Sequence, residues 1–208
     1  IDKDDFDDVA DIMRYAAQGG ATISPRVKIF DEESNTDVYV PEGKLAIATV
    51  CSITFDGLLL KNGIPVEPAY GGILELKDHK PTRFHDLISY SGTSIDPIKI
   101  FMSRHSTSVL DVLETGTGTM LANMRQIPAA AAEKAQSVLE LAKKSDISGA
   151  VTIGGDGEAM FGAPVEVGKS GLPVFVGVNA IAAVEETGIE VTTYPVSTVL
   201  EYGTMSEI

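Results

Sequence analysis

Arginine is the scarce functional group of this chain. Guanidinium groups stand only at positions 14, 26, 83, 104 and 125, in 208 residues that carry 30 acids and a formal charge of −14. A guanidinium fork suits a small carboxylate, and in so acidic a chain an anion finds such a local positive field or none. Arg83 opens a polar stretch, Pro81-Thr82-Arg83-Phe84-His85-Asp86, followed by the hydroxyls of Ser89, Tyr90, Ser91, Thr93 and Ser94. Arg125 stands in Asn123-Met124-Arg125-Gln126-Ile127-Pro128, ahead of an alanine-rich segment. Cys51 and Ser52 close an apolar run where a helix begins, a place where free N–H groups favour an anion and a thiol ionises more easily. Each group has a structural alternative. Arg83 can pair with Asp86 or Asp96, the hydroxyls can satisfy loop backbone, and Cys51 can serve as a small buried hydrophobe.

Other chemistries are excluded or weakened. Gly168-Lys169-Ser170 resembles the end of a phosphate loop, but Ala163 stands where that loop needs glycine, and the segment leads into a strand. Gly154-Gly155-Asp156-Gly157 reads as a tight turn in preference to an anion nest. The three histidines, His79, His85 and His105, show no metal-ligand spacing and have no paired cysteines to help them. No G-x-S-x-G elbow marks a nucleophile. The charge of −14 repels polyphosphate, so this segment is not expected to contact nucleic acid itself. No apolar run approaches about 20 residues, which excludes a helical membrane span. The acidic start, Asp2, Asp4, Asp5, Asp7, Asp8 and Asp11, is the opposite of a signal peptide. A single cysteine fits a reducing cytoplasm.

The elements that must position these groups follow from periodicity. Phe6, Val9, Ile12, Met13 and Ala16 predict a helix stopped by Gly19-Gly20. Residues 26–30 and 37–40 read as short strands around a polar turn, and residues 45–50 as a strand buried on both faces. A short helix spans 52–61, and a strand follows at 72–76. Residues 78–97 read as a structured loop. Asp96 then caps a helix over 98–103, with Pro97 in its first turn. Residues 107–114 and 120–127 flank Thr115-Gly116-Thr117-Gly118 as a hairpin. A helix covers 129–144. Strands at 150–153, 172–176 and 189–193 and a helix at 180–187 complete, from Met120 onward, a β-α-β-β-α-β, ferredoxin-like order.

An internal repeat organises the whole. Gly63-Ile64-Pro65-Val66-Glu67 matches Gly162-Ala163-Pro164-Val165-Glu166, and Asp56-Gly57 matches Asp156-Gly157. The expected fold class is therefore α/β (α+β), with two ferredoxin-like or similar sandwich subdomains. The first spans residues 1–118 with inserts at 26–40 and 78–95, and the second spans 119–208. The inserts are the expected seat of specificity.

Several strings are specific enough to carry a resemblance. Thr49-Val50-Cys51-Ser52-Ile53-Thr54, Asp56-Gly57-Leu58-Leu59-Leu60, Tyr70-Gly71-Gly72, Ile88-Ser89-Tyr90-Ser91-Gly92-Thr93-Ser94-Ile95-Asp96-Pro97, Arg125-Gln126-Ile127-Pro128-Ala129 and Gly177-Val178-Asn179-Ala180 resemble the regulatory domain of the archaeal nitrogen repressor family, NrpR. The resemblance covers nearly the whole chain. It implies a cytoplasmic regulator and not an enzyme, without cofactor or metal, that represses nitrogen-assimilation genes and responds to 2-oxoglutarate. It also implies that DNA is reached only through a separate winged-helix module absent here.

A dicarboxylate needs cationic forks, hydroxyl or backbone donors and an apolar wall. The expected effector site is a cleft between subdomains closed by the 83–96 loop. Arg83 and Arg125 are its carboxylate anchors, and Cys51, Ser52, Tyr90, Ser91, Thr93 and Ser94 line it. A homodimer is expected through an apolar surface on one subdomain, with the 107–127 hairpin as the favoured donor of strand edges. The rival reading is a small-molecule enzyme using the Arg83–Asp96 loop.

Overall fold

Apolar spacing along the first helix, α1 (Phe6–Gln18), turns Val9, Met13 and Ala16 inward, and the chain leaves it through the Gly19-Gly20 turn. The computed structural model describes residues 1–34, 38–194 and 199–208. In chain order there follow β1 (Arg26–Phe30), β2 (Ala46–Thr49), α2 (Ile53–Lys61), β3 (Glu67–Lys77), β4 (Lys80–Ser89), α3 (Pro97–Ser103) and α4 (Val109–Thr115). The remainder forms β5 (Gly118–Pro128), α5 (Ala132–Lys143), β6 (Lys169–Phe175), α6 (Asn179–Glu186) and β7 (Ser206–Glu207). The fold is mixed α/β, as expected, with two antiparallel sheets ordered β2-β1-β7 and β4-β3-β5-β6.

Both Gly-x-Pro-Val-Glu segments lead into strands that flank β5. Gly63 and Gly162 sit at φ +75° and +83°, a left-handed turn that glycine adopts without strain, and β3 and β6 then pair with β5 from opposite sides. What precedes them differs, α2 in one case and an irregular segment in the other. The larger sheet takes β3 and β4 from residues 1–118 and β6 from 119–208. The boundary at 118/119 thus falls at the first residues of a central strand.

Several elements differ from expectation. Residues 80–89 are a strand, not part of a loop, because Asp78 and His79 take left-handed conformations (φ 50° and 58°) and close a tight hairpin between Lys77 and Lys80. Residues 109–115 are a helix, not a hairpin arm. Val109 and Val112 are buried at helical spacing, and Gly116 at φ +77° ends the turn. Strand β5 consequently lies inside the sheet between β3 and β6, with a neighbouring strand on both sides from Ala122 to Gln126. Residues 150–153 make only an isolated bridge, Ala150 with Val174, because the facing Pro173 has no N–H to continue a ladder. Residues 189–193 form no strand. The segment 38–40 forms none either, and residues 35–37, the rest of that turn and strand, lie outside the described residues. β2 is half-buried throughout instead of covered on both faces, as suits an edge of the smaller sheet.

Three apolar clusters surround the larger sheet. On one face α1, α3, α4 and α6 pack over Ile73 and Leu121, and α2 and α5 pack over Ile127, Leu172 and Val174. On the other face Leu74, Phe84, Ala122 and Met124 lie under Met160 and Ala163. Alternation along β5 puts Leu121, Asn123, Arg125 and Ile127 on the helix-covered face. Leu121 belongs to the first helical core and Ile127 to the second, so Asn123 and Arg125 form a polar seam between them.

Two glycines make that seam possible. A Cβ on Gly71 would lie 2.8 Å from Pro97 Cβ and 3.3 Å from Asn123 Oδ1, so its bare backbone lets the start of α3 rest against the seam. A Cβ on Gly177 would lie 2.1 Å from the Val50 carbonyl, so the turn before α6 presses directly on the chain entering α2.

Candidate functional site

Arg125 is 3% exposed, the one buried cation among the described residues. β5 carries it onto the helix-covered face, and the first turn of α2 brings Asp56 against it. Nε donates to Asp56 Oδ1, and Nη2 donates to Asp56 Oδ2 at 3.4 Å and to Ser52 Oγ at 3.2 Å. Nη1 is buried and has no hydrogen-bond partner among the described residues. A buried guanidinium N–H left unpaired carries a real cost, which a ligand oxygen would remove.

The network continues from there. Ser52 does not cap α2 with its side chain; its Oγ instead accepts from Asn123 Nδ2 at 3.2 Å as well as from Arg125. With both lone pairs engaged, its proton is the group left to donate. Tyr90 Oη lies 3.0 Å from Asn123 Oδ1 and 3.3 Å from Asp96 Oδ1, one proton shared between two acceptors. Asp96 Oδ1 also accepts from Ile98 N at 3.0 Å, the predicted cap of α3. Burial, and then the Asp96 charge, push the Tyr90 phenol above its ordinary pKa, with Arg125 opposing, so it stays protonated at physiological pH. One polar chain thus joins α2, β5, the end of β4 and α3.

The structure brings together Cys51, Ser52, Tyr90 and Arg125 from the expected set. Cys51 is half-buried immediately before Ser52, and two amides in the first turn of α2 are already engaged: Thr54 N donates to Cys51 O and Phe55 N to Ser52 O. Arg83 does not join them. It stands opposite Glu75 on β3, whereas Arg125 stands opposite Pro68, which separates them by about 20–25 Å of strand. Its side chain is 64% exposed, and its Nε donates to Glu75 Oε2 at 3.0 Å, not to Asp86 or Asp96. Thr93 serves the loop itself, its Oγ1 donating to Ile95 O and accepting from Ile95 N, and Ser91 is exposed there with its backbone N donating to Ser89 Oγ. Ser94 is exposed in the same loop. The expected closing loop is therefore only residues 90–96, with Arg83 within β4 opposite Glu75 and Asp96 at the start of α3.

Asp56 and Asn123 are the members that sequence reasoning missed. Asn123 and Arg125 stand at alternate positions between the apolar Leu121 and Ile127 on one face of the strand, which was the available signal. Gly155 N donates to Glu158 Oε2, Gly157 N to Lys169 O and Gly168 N to Asp156 Oδ1, so the glycine-rich turn uses its donors internally. Among the described residues no group of three or more His, Cys, Asp or Glu side chains could hold a metal ion. No helix there is long and apolar enough to cross a membrane.

Comparison with known proteins adds to this geometry. A family model described as NrpR regulatory domains NRD1 and 2 matches residues 1–207. The chain is 59% identical over 208 residues to the global nitrogen regulator NrpRI of Methanosarcina mazei, covering 100% of this chain and 64% of that protein. It is 29% identical over 204 residues to the global nitrogen regulator NrpR of Methanocaldococcus jannaschii, covering 98% of this chain and 35% of that one. A crystal structure of a nitrogen repressor-like protein from Methanococcus jannaschii superposes with a TM-score of 0.82 at 29% identity, over 100% of this chain and 84% of the other. The chain thus spans less than two thirds of the length of these two regulators.

Proposed function

Because the chain belongs to the NrpR regulatory-domain family, whose named relatives are nitrogen regulators, we propose that it is the effector-sensing and oligomerising part of a repressor of nitrogen-assimilation genes, with 2-oxoglutarate or a similar small dicarboxylate as effector. The observation that carries the reading is the buried Arg125, with Nη1 unpartnered at the seam between two helical cores. A carboxylate there meets the guanidinium, the Ser52 hydroxyl and the Tyr90 phenol, and Asn123 ties the two hydroxyls together. The cation is bonded to α2 directly and linked to the start of α3 through Ser52, Asn123, Tyr90 and Asp96, which gives a bound anion leverage over both helices and suits a sensor. The group has donors and a fixed cation but no poised nucleophile, which favours sensing over turnover.

In this reading DNA is contacted through a separate winged-helix module, in the cytoplasm, and the regulator works as a homodimer matching a two-fold operator. With β5 inside the sheet between β3 and β6, the dimer contact uses a helix face or an outer sheet edge.

Calorimetric titration of 2-oxoglutarate tests the site. A charge-assisted contact is worth about 1.5–3 kcal/mol, so Arg125→Lys is expected to weaken binding by about ten- to a hundredfold, and Arg83→Ala to leave it unchanged. Equal affinity in wild type and folded Arg125→Lys would remove this site.

A further inference from the structure

Arg125 already holds a carboxylate. Asp56 takes its Nε and Nη2 with one oxygen each, the side-on arrangement in which a guanidinium receives a free carboxylate. We propose that Asp56 occupies, as part of the chain, the slot that an effector carboxylate takes, and that the ligand enters by exchanging one carboxylate for another on Arg125. This rests on the reading of the network as the effector site.

Three observations support exchange over simple addition. The guanidinium is enclosed, so a second carboxylate placed beside Asp56 would crowd two like charges onto one buried cation. Exchange keeps Arg125 compensated before and after, and lets the ligand reach Nη1 as well, which Asp56 leaves unpartnered. Asp56 can also leave: its side chain is 14% exposed, at the rim of the pair and not beneath it.

The helix that carries Asp56 is built to yield. Gly57 follows it in mid-helix, where glycine weakens a helix relative to alanine, and a Cβ there would meet nothing within 4 Å. Among the described residues no packing calls for that glycine. Ile53 and Leu60 lie exposed on the same helix. Release of Asp56 would therefore loosen the first turn of α2, making occupancy of Arg125 legible at the surface.

Two arms test the exchange. In the first, 2-oxoglutarate is titrated into wild type and Asp56→Asn; removing the internal competitor is expected to tighten binding by about tenfold, where a merely structural aspartate would give unchanged or weaker binding. In the second, thermal unfolding of Asp56→Ala is followed in sodium formate against sodium chloride at equal ionic strength. Formate is expected to raise the melting temperature of the variant more than chloride does, and to leave the wild type indifferent. Wild-type binding with no gain in Asp56→Asn and no formate effect overturns the exchange while the effector reading stands. A formate effect with no 2-oxoglutarate binding in either protein upholds the carboxylate slot and overturns that effector. Neither response overturns both.

Discussion

The side-chain amide of Asn179 binds both backbone groups of Leu121. Leu121 N donates to Asn179 Oδ1 and Asn179 Nδ2 donates to Leu121 O, each at 2.9 Å. The β5–β6 ladder ends at the pair Ala122 and Phe175, so this amide takes over where the neighbouring strand stops. It also fixes the first residue of α6 onto the strand that carries Asn123 and Arg125. Asn179→Ala leaves the buried Leu121 N–H unpaired and Leu121 O with only its 3.4 Å bond from Val176 N, an expected loss of about 1–3 kcal/mol in urea unfolding. Asn179→Asp is expected to destabilise too, since a carboxylate cannot donate to the Leu121 carbonyl. A loss below about 1 kcal/mol in both would show that relaxation or water replaces the amide.

Gly177 is expected to tolerate no side chain. The Cβ of alanine would fall on the Val50 carbonyl, and backbone cannot swing aside as a flexible side chain can. Overpacking of this kind costs about 1–3 kcal/mol, a fall of several degrees in melting temperature for a chain of this length. Because Val50 leads into Cys51 and Ser52, Gly177→Ala is also expected to weaken effector binding without touching the ligand. Melting and binding both equal to wild type would contradict the close approach.

Glu186 holds the start of α4. Its carboxylate accepts from Thr107 Oγ1 at 2.7 Å, from Val109 N at 2.8 Å and from Leu110 N at 2.9 Å. Ser108 makes no side-chain cap, so this distant residue performs the capping. Glu186→Ala is expected to cost about 1–2 kcal/mol, with faster hydrogen exchange at the Val109 and Leu110 amides. Unaltered exchange at those two amides would rule the cap out.

Two carboxylates pull pH dependence in opposite directions. Burial raises the pKa of Glu185, only partly opposed by His105. Its contribution to stability is complete below the unfolded value of about 4.3 and is lost as pH rises through the folded value. Glu75 is shifted down, first by its hydrogen bond from Arg83 and then by Lys77 and Thr82. Its contribution is present above the unfolded value and is lost as pH falls through the folded one. Glu185→Gln is therefore expected to gain stability over wild type as pH rises from about 4 to 7, and Glu75→Gln to lose it as pH rises from about 2 to 5. Denaturant midpoints across each window check the two signs, and parallel curves for variant and wild type would contradict them.

The sequence by itself determined the elements whose signals are local. The spacing of Val9, Met13 and Ala16 located α1, Asp96-Pro97 located the start of α3, and the long apolar segments located β3, β5 and β6. It also singled out Arg125, Ser52 and Tyr90, because a rare cation and clustered hydroxyls are visible without coordinates. Tertiary structure alone decided the rest. Residues 109–115 became a helix because Glu186, 76 or more residues away, satisfies its first amides. Residues 150–153 failed as a strand because the position they face is Pro173. Arg83 and Arg125 separated because the register of β3 sets them at opposite ends of one sheet, and strand register is a property of pairing, not of either strand alone. Asp56 met Arg125 across 69 residues of sequence, a contact that no local pattern encodes.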